Sequence, residues 1–195
     1  NSLWCSKFGF SILMPHIELV PTGTVGTPQW SYSGGSSFID SVDEDDDSTY
    51  ISEVTLNHYV AFVITDPTVA ESEIDFDEDV TITPTIHAHH TGTGNANVEV
   101  QIIGSPGSSI SLPADTISVA NNSSFPTYTG TGQTVYAAGS DWTYSELENA
   151  GLKLTLKSRL ARFQSVRVSY AYLRLSYTEA VTGVTHDAIL FGTNF

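Results

Sequence analysis

Apolar and polar residues alternate with a period of two along much of this chain, and that pattern predicts β-strands because successive side chains of a strand point to opposite faces. The stretch 80–90 shows it most clearly, with Val80, Ile82, Ile86 and Ala88 on one side and threonines and histidines on the other. Similar alternation, or a short apolar run, predicts further strands at 16–20, 50–55, 59–65, 97–103, 116–120, 134–138, 152–156 and 167–177.

Turn residues separate these predicted strands. The clearest turn signal is Thr-Gly-Thr-Gly-Asn at 91–95, and it predicts a hairpin between 82–90 and 97–103. Acidic and apolar residues alternate at 71–78, which fits either a strand or an ordered connection into the next strand. Residues 167–177 are largely apolar on both faces, so we expect that strand to lie in the middle of its sheet.

One segment carries a helix signal. Thr143 can cap a helix, Glu146 can reach back to it as a capping box, and Gly151 is placed to end the helix. Many short strands, turns at intervals of about 8–12 residues and one short helix near 143–150 predict an all-β fold, an antiparallel β-sandwich of the jelly-roll type.

The domain organisation follows from length and composition. The 195 residues suffice for one buried core. We expect an apolar N-terminal extension at 1–15, the sandwich at 16–178 and a C-terminal tail at 179–195. The extension is interpreted as an assembly arm, since its aromatic residues are unfavourable in water; the alternative is a first strand of the same core. Cys5 is the only cysteine, so an internal disulfide is impossible.

The charge balance excludes some partners. The formal net charge is -15, which repels phosphate backbones and anionic lipid headgroups, so we expect neither nucleic acid nor membrane-surface binding. The apolar stretches are also too short to span a bilayer. Of the 22 acidic residues, 14 lie between Asp40 and Asp79, whereas six of the seven basic residues lie between Lys153 and Arg174. This separation allows the two regions to attract each other within or between subunits.

Five consecutive acidic residues, 43–47, form the strongest local charge signal. Such a run repels itself and is strongly hydrated, and apolar residues on both sides hold it to the domain, so we expect an ordered surface loop. Clustered carboxylates suit Ca²⁺, and Asp43, Asp45 and Asp47 are the candidate ligands. The spacing is not that of an EF-hand, and the alternative is a solvated or arginine-paired loop without any cofactor.

Histidines are a second candidate for metal binding. His87 and His89 project from the same face of a predicted strand, with His90 beside them, and such a pair can bind Zn²⁺ or Ni²⁺. A third ligand is not identifiable from the sequence. Histidines on the outer face of a strand are also commonly solvated, which is the alternative interpretation.

Catalytic signals are weak. The chain has no G-x-S-x-G nucleophile motif, and its carboxylates come without the signature of a cleft, so we predict that it is not an enzyme. A sugar-stacking surface is conceivable from the aromatic residues Trp30, Tyr32, Tyr128, Tyr136, Trp142 and Tyr144. The alternative for Trp30 and Trp142 is that they fill the core.

Four segments together carry a resemblance to a known family. They are Trp30 with the Gly/Ser loop that leads to VDEDDDSTYI at 42–51, the stretch 59–67 ending in Thr-Asp-Pro, WTYSELENAGLK at 142–153 and RVSYAYLRLSY at 167–177. In this order they resemble a jelly-roll domain of tailed-phage virion proteins, over roughly residues 16–178. The resemblance implies a structural β-sandwich used in head decoration, fibres or tail parts.

The predicted function follows from that resemblance. We expect a non-enzymatic virion structural protein, a capsid decoration, head-surface or tail-associated component assembled in the host cytoplasm. It would form a homo-oligomer, by analogy a trimer, and bind a major capsid or tail protein through residues of its terminal arms: Trp4, Phe8, Phe10, Leu13, Phe191 and Phe195. The main alternative is a carbohydrate-binding or host-adhesion module, and a calcium-dependent adhesive protein is a third class.

Overall fold

The computed structural model describes residues 14–43, 45–104, 112–137, 140–162 and 164–180. Their elements, in chain order, are β1 (His16–Leu19), β2 (Pro21–Thr24), β3 (Ser31–Ser33), β4 (Tyr50–Glu53), β5 (Tyr59–Ile64), a 3₁₀ helix (Glu71–Glu73), β6 (Thr81–His90), β7 (Asn95–Gly104), β8 (Asp115–Ala120), β9 (Thr127–Thr129), β10 (Val135–Ala137), β11 (Ser140–Asp141), α1 (Tyr144–Glu148), β12 (Ala150–Leu156) and β13 (Val166–Ser176). The prediction of an all-β fold with one short α-helix is confirmed.

Two antiparallel sheets form the sandwich. The six-stranded sheet has the order β3-β4-β13-β6-β9, with β1 also paired to β13, and the five-stranded sheet has the order β2-β5-β12-β7-β8. The chain passes from one sheet to the other between β4 and β5, between β6 and β7, and between β12 and β13. This alternation gives the strand order of a jelly roll, as predicted.

The core lies between the sheets because each strand buries alternate residues. In β7, Ala96, Val98, Val100 and Ile102 are at most 1% exposed while the residues between them are more accessible. Facing side chains of both sheets complete one cluster, whose largest fully buried members include Phe62, Leu154 and Leu173. Trp30 and Trp142 are 3% and 2% exposed, so the interpretation that they fill the core is confirmed.

Strand β13 occupies the centre of the six-stranded sheet, as its apolar character predicted. It pairs with β6 from Val166 to Ser176 on one side. On its other side it pairs with β4 near Val166 and with β1 near Ser176. Between those two partners the amide of Ala171 donates to the carbonyl oxygen of Val42 at 3.1 Å. The segment that leads into the acidic run therefore lies against the edge of β13.

The predicted hairpin between 82–90 and 97–103 is wrong. Strand β6 pairs with β13 and β9, whereas β7 pairs with β12 and β8, so the turn at 91–95 carries the chain across the sandwich. Both strands have one apolar face, and placing those faces opposite each other buries both. The turn residues indicated where the chain reverses but contained no information about which sheet it would join.

The helix begins where predicted and ends earlier. The Glu146 carboxylate accepts the amide of Thr143 at 2.8 Å, as in the predicted capping box. The α-helix stops at Glu148 and Gly151 belongs to β12, so the role assigned to this glycine is wrong. A Cβ atom at Gly151 would lie 2.7 Å from the carbonyl oxygen of Phe62 on the neighbouring strand, which explains why a glycine is suitable there.

Short polar edge strands were not predicted. Strands β2, β3 and β9 have only 3 or 4 residues each and fall in stretches where the sequence pattern predicted no separate strand. The stretch 71–78 is a connection that contains the 3₁₀ helix and one bridge, Ile74 to Glu179. The arm residues Trp4, Phe8, Phe10, Leu13, Phe191 and Phe195 lie outside the described residues. No helix in the described part of the chain is long and apolar enough to cross a bilayer.

Candidate functional site

The outer face of the six-stranded sheet carries a group of ring-bearing side chains. Ile86 and Ala88 of β6 point into the core, so His87 and His89 point outward. Tyr170 of β13 is opposite His87 in the register. A bulge between Val168 and Tyr170 shifts the alternation of β13 at this point. The bulge allows tyrosines to take outward positions beside the histidines.

The first half of the group is a cluster of three rings. The centroid of His87 lies 5.2 Å from that of Tyr170 and 6.2 Å from that of Tyr172, with edge-on geometry in both pairs. The two tyrosine rings are 4.8 Å apart. Edge-to-face and tilted contacts at these distances are favourable because a ring edge is positive and a ring face negative.

The second half continues along the same face. Phe125, in the loop before β9, packs its ring 4.5 Å from His89 and 6.2 Å from Tyr50 of β4. The guanidinium of Arg167 lies 4.7 Å from the centroid of the Tyr50 ring, in cation–π contact. We call the six residues Tyr50, His87, His89, Phe125, Tyr170 and Tyr172 the ring face.

Carboxylates lie along the margin of the ring face. The Asp45 Oδ1 atom is 2.7 Å from Nδ1 of His87, so this side chain reaches over β13 from the acidic run. The Asp47 Oδ1 atom accepts the Ser169 hydroxyl at 3.3 Å. From β1, which pairs with the far end of β13, the Glu18 Oε2 atom accepts the Tyr170 hydroxyl at 2.8 Å. Two described residues of the acidic run, Asp45 and Asp47, are therefore exposed at the surface and paired with a histidine and a serine.

Polar partners orient both histidine rings. Nε2 of His87 lies 3.1 Å from the Thr127 hydroxyl oxygen, opposite the nitrogen that meets Asp45. Nδ1 of His89 lies 3.0 Å from the backbone oxygen of Asn122, so it carries the proton and donates. Each ring is therefore fixed in a single orientation on the sheet.

The surroundings shift the pKa values of several groups on the ring face. Burial lowers the pKa of His89, and the charge of the nearby Arg167 lowers it further. The hydrogen bond to Asn122 acts in the opposite direction and raises this pKa. Burial raises the pKa of Tyr170, and its hydrogen bond to Glu18 adds to that effect. Burial also raises the pKa of Tyr172. His89 is consequently held neutral and both tyrosines remain hydroxyl donors at ordinary pH.

Two of the tyrosines are covered. Tyr170 and Tyr172 are 9% and 7% exposed although they lie on the outward side of the sheet. Asp45 and Glu18 approach them from the edge of β13, while Tyr50 and Phe125 are half-buried and still reach solvent. The accessible part of the ring face is therefore the half that contains Tyr50 and Phe125.

The metal-ligand candidates do not converge. Asp45 and Asp47 contact His87 and Ser169, and the amide of Asp43 donates to Ile39 at 3.0 Å. Across residues 14–43, 45–104, 112–137, 140–162 and 164–180, no group of three His, Cys, Asp or Glu side chains is placed to hold a metal ion. The calcium ligands Asp43, Asp45 and Asp47 remain a prediction.

His90 does not join the other two histidines. It points into the sandwich, is 2% exposed and has no hydrogen-bond partner on either ring nitrogen. The outward pair His87 and His89 was correctly placed on one face, but their ring nitrogens bond to Asp45, Thr127 and Asn122. These contacts give both histidines a role on the ring face that needs no metal.

The aromatic residues singled out from the sequence are mostly elsewhere. Trp30 and Trp142 are in the core, and Tyr128 is opposite the inward-pointing Ile86. Tyr32 packs edge-on to Phe38 with ring centroids 5.0 Å apart. Of the ring face, His87 and His89 were identified from the sequence, whereas Tyr50, Phe125, Tyr170 and Tyr172 were missed. The period-two spacing of Tyr170 and Tyr172 was visible in the sequence, but the bulge in β13 and the position of Phe125 were not.

A separate cleft lies away from the ring face. Its volume is about 450 Å³, and its lining includes Ile17, Val69, Glu73, Tyr177 and Glu179. It is the larger of two described hollows, but it contains a single aromatic ring and none of the groups discussed above. We therefore consider the ring face, and not this cleft, as the candidate functional site.

Comparisons with known proteins add little beyond the fold class. No protein-family model matches the chain, and no curated protein sequence matches it either. One similar solved structure is the CBM36-1 domain of a multidomain xylanase from the hindgut metagenome of Trinervitermes trinervoides, with a TM-score of 0.43 and 11% identity over 83% of this chain and 96% of that one. Another is a carbohydrate-binding module CBM36 in complex with calcium and xylotriose, with a TM-score of 0.39 and 12% identity over 84% and 100% of the two chains.

The class of protein is defined by its own topology. The chain is a jelly-roll β-sandwich with a ring-bearing outer face on one sheet. The likenesses, with TM-scores below 0.5 and low identity, carry no argument about a ligand. The topology of the chain supports the resemblance to virion proteins only as a β-sandwich fold.

Proposed function

We propose that the protein is a non-catalytic carbohydrate-binding module whose ligand lies on the ring face. The observation that carries the proposal is the set of six rings on the outward side of a sheet whose inward side already supplies the core. Outward positions of a sandwich are normally polar, yet Tyr50 and Phe125 are half-buried there and reach solvent. A ligand that stacks on rings accounts for these two, while Tyr170 and Tyr172 are already covered.

Sugars match this surface chemically. A pyranose has an apolar face of C–H groups that packs on an aromatic ring, and hydroxyls that bond to carboxylates, imidazoles and guanidinium groups. Tyr50 and Phe125 supply accessible rings, while Arg167 and Asp47 supply polar groups beside them. A shallow face of this kind suits a chain of sugar units better than a small apolar molecule, which needs an enclosing pocket.

One arrangement on this face has the order of a hydrolase triad. Asp45, His87 and Thr127 are linked through Nδ1 and Nε2 of the imidazole. Thr127 lies within an edge strand and not on a sharp turn that would expose its hydroxyl, and the His87 ring is held between two tyrosines. We assign the three residues to orienting the ring, and predict no turnover of 4-nitrophenyl acetate above that of Thr127→Ala.

Isothermal titration with neutral oligosaccharides tests the proposal. Cellohexaose, xylohexaose, mannohexaose and N-acetylchitohexaose are added to the full chain, with calcium and with EDTA. We expect binding of at least one of them, weakened about tenfold by Phe125→Ala, because losing a stacking contact costs about 1–1.5 kcal/mol. If binding and thermal stability are the same with calcium and with EDTA, the predicted ion at Asp43, Asp45 and Asp47 is contradicted.

Tyr59→Ala is the matched control for Phe125→Ala. Tyr59 is 38% exposed and lies on the outer face of the other sheet, where Lys153 contacts its ring. Its removal should leave binding unchanged. Absence of binding to all four sugars, or an equal loss in the Tyr59 variant, would contradict the proposal.

A second candidate is a structural subunit of a phage particle. Its support is the resemblance itself, whose segments form β4, β5, α1 and β13. Three exposed apolar side chains that are close in sequence, Val54, Leu56 and Tyr59, are available for a protein contact. On this proposal the protein forms a trimer, binds a capsid or tail protein and resides in the virion.

Sedimentation of the full chain tests the second candidate. A trimer is expected, and Leu56→Asp should shift it toward monomer because a charge would enter the apolar contact. Asp141→Asn, an exposed acidic position elsewhere, serves as the control. A monodisperse monomer at all concentrations would contradict the structural role while leaving carbohydrate binding open to its own test.

A further inference from the structure

We infer that the ring face selects glycans bearing protonated amino groups over neutral glycans, and rejects uronic acid polymers. The inference rests on the proposed carbohydrate-binding function and specifies its substrate class. It depends on the charges that surround the rings, because stacking itself does not distinguish an amino sugar from its neutral or acidic relatives.

The acidic groups on this surface come from both ends of the gap beside β13. Asp45 and Asp47 enter from one end and Glu18 from the other, and all three accept a hydrogen bond from, or pair with, a residue of β6 or β13. Asp43 and Asp46 lie in the same loop as the first two. Tyr50 and Phe125 form the accessible half, and a chain of sugar units that stacks on them and continues along the same face would pass the exposed carboxylates of Asp45 and Glu18 beside the covered half.

Around the rings, positively charged side chains are fewer than carboxylates, and they already contact or lie opposite other residues of the protein. Arg167 stacks on the Tyr50 ring, and Arg174 lies at the other end of β13, opposite Glu18 in the register with β1. His89 has its pKa lowered by burial, so it adds no charge near neutrality. Carboxylates thus outnumber guanidinium groups around the rings, in a chain whose formal net charge is -15.

The geometry leaves the carboxylates available to a ligand. Asp45 is 64% exposed at its side chain even while it contacts His87. Glu18 is an exposed residue, although its carboxylate accepts the Tyr170 hydroxyl and also interacts with the hydroxyl of Tyr172. An ammonium group of a stacked sugar can therefore form a charge-assisted hydrogen bond here, whereas a sugar carboxylate would meet like charges.

Three oligosaccharides of equal length test the inference: hexaglucosamine, its N-acetylated form, and hexagalacturonate. Titrations at about pH 6, where the sugar amines carry protons, should show hexaglucosamine binding about threefold to fivefold more tightly than the N-acetylated form at low salt, with no binding of the uronate. The ratio should approach one in about 0.5 M NaCl, since exposed charges are then screened.

The variant Asp45→Asn locates the source of the selectivity. It should reduce the ratio of the affinity for hexaglucosamine to that for the N-acetylated form. Adding Glu18→Gln to this variant should reduce the same ratio further. Asp141→Asn removes the same charge away from the ring face and should leave the ratio unchanged. If the ratio survives both ring-face substitutions, general net charge and not this site causes it, and the inference is overturned.

The outcomes separate the two proposals. Equal binding of hexaglucosamine and its N-acetylated form, or tighter binding of hexagalacturonate, overturns the inference and leaves carbohydrate binding in place. Failure of all three, together with cellohexaose, xylohexaose and mannohexaose, overturns the proposed function and the inference with it.

Discussion

The outer faces of the two sheets differ, although their inner faces are both apolar and pack against each other in one core. On the five-stranded sheet, Tyr59 is 38% exposed and contacts Lys153, and Lys157 pairs with Glu99 at 3.2 Å. Those are ordinary surface contacts of long polar side chains. On the six-stranded sheet six rings form two groups of three contacting side chains, with carboxylates from two separate segments around them.

This difference teaches which residues serve folding and which do not. Both sheets bury leucine, isoleucine and valine inward, so the core treats them alike. The extra rings are found on one outward face, where burial of apolar surface between sheets cannot explain them. The proposed role in recognition accounts for that asymmetry.

The largest expected effect separates the core from the ring face. Phe62 is fully buried between the sheets, and Phe62→Ala should lower the free energy of unfolding by about 3–5 kcal/mol through lost burial and a cavity. Tyr50→Ala on the ring face should cost less than about 1 kcal/mol. Urea denaturation measures both. Equal losses would mean that the ring face is a structural cluster and would break the comparison.

The next prediction concerns the close backbone contact between Gly34 and the residues that follow the acidic run, Ser48 and Thr49. Gly34 has a φ of +87°, and a Cβ atom there would collide with the carbonyl oxygen of Ser48 and lie 3.0 Å from Cα of Thr49. Gly34→Ala should therefore lower the free energy of unfolding by about 1–3 kcal/mol.

Gly26→Ala is the matched control for Gly34→Ala. Its φ is +72°, but a Cβ atom there meets nothing within 4 Å. Only the backbone conformation is then disfavoured, at about 1 kcal/mol. Thermal unfolding of both variants measures the difference, and equal losses would show that the two ends of the loop segment do not approach closely.

A smaller effect distinguishes the two sides of β6. His90 is buried with neither ring nitrogen bonded, so His90→Leu should raise the free energy of unfolding by about 1 kcal/mol. His89→Leu, on the outward side of the same strand, should lower it because the bond to Asn122 is lost. Chemical denaturation at neutral pH checks both signs, and destabilisation by His90→Leu would reveal a partner for that ring.

The smallest expected effect is a pH dependence. The pKa of His89 is lowered from 6.5 mainly by burial, so the unfolded chain binds this proton more tightly than the folded one. The stability of the protein should therefore fall as the pH falls below about 6.5. His89→Gln should reduce that slope between neutral and mildly acidic pH in urea denaturation, and an unchanged slope would contradict the burial of this imidazole.

The fold was largely predictable because period-two patterns report directly on which side of a strand meets the core. The long strands and the capping box of α1 were located correctly. Strands β3 and β9 were missed because three polar residues at a sheet edge gain their conformation from a neighbouring strand and not from their own sequence. The false hairpin arose because a turn signal is local, whereas the choice of sheet depends on both strands at once.

The candidate site was less predictable. The outward orientation of His87 and His89 followed from alternation, but their partners Asp45, Thr127 and Asn122 are separated from them by more than 30 residues in sequence. The ring face also depends on the bulge in β13, which could not be predicted from the residue types in that strand. The aromatic residues chosen from the sequence were selected by residue type alone. The residues of the ring face are instead defined by the side of the sheet to which their side chains point, and this depends on the fold.

The central claim is that the ring face binds the sugar, and spectra of ring resonances test it most directly. The full chain is labelled with ¹³C in its tyrosine, phenylalanine and histidine rings and titrated with each hexasaccharide named above. The account predicts saturable shifts for Tyr50, Phe125 and His89 with Tyr59 unchanged. Shifts confined to Tyr59, or no ring shift with a sugar that binds by calorimetry, would contradict it.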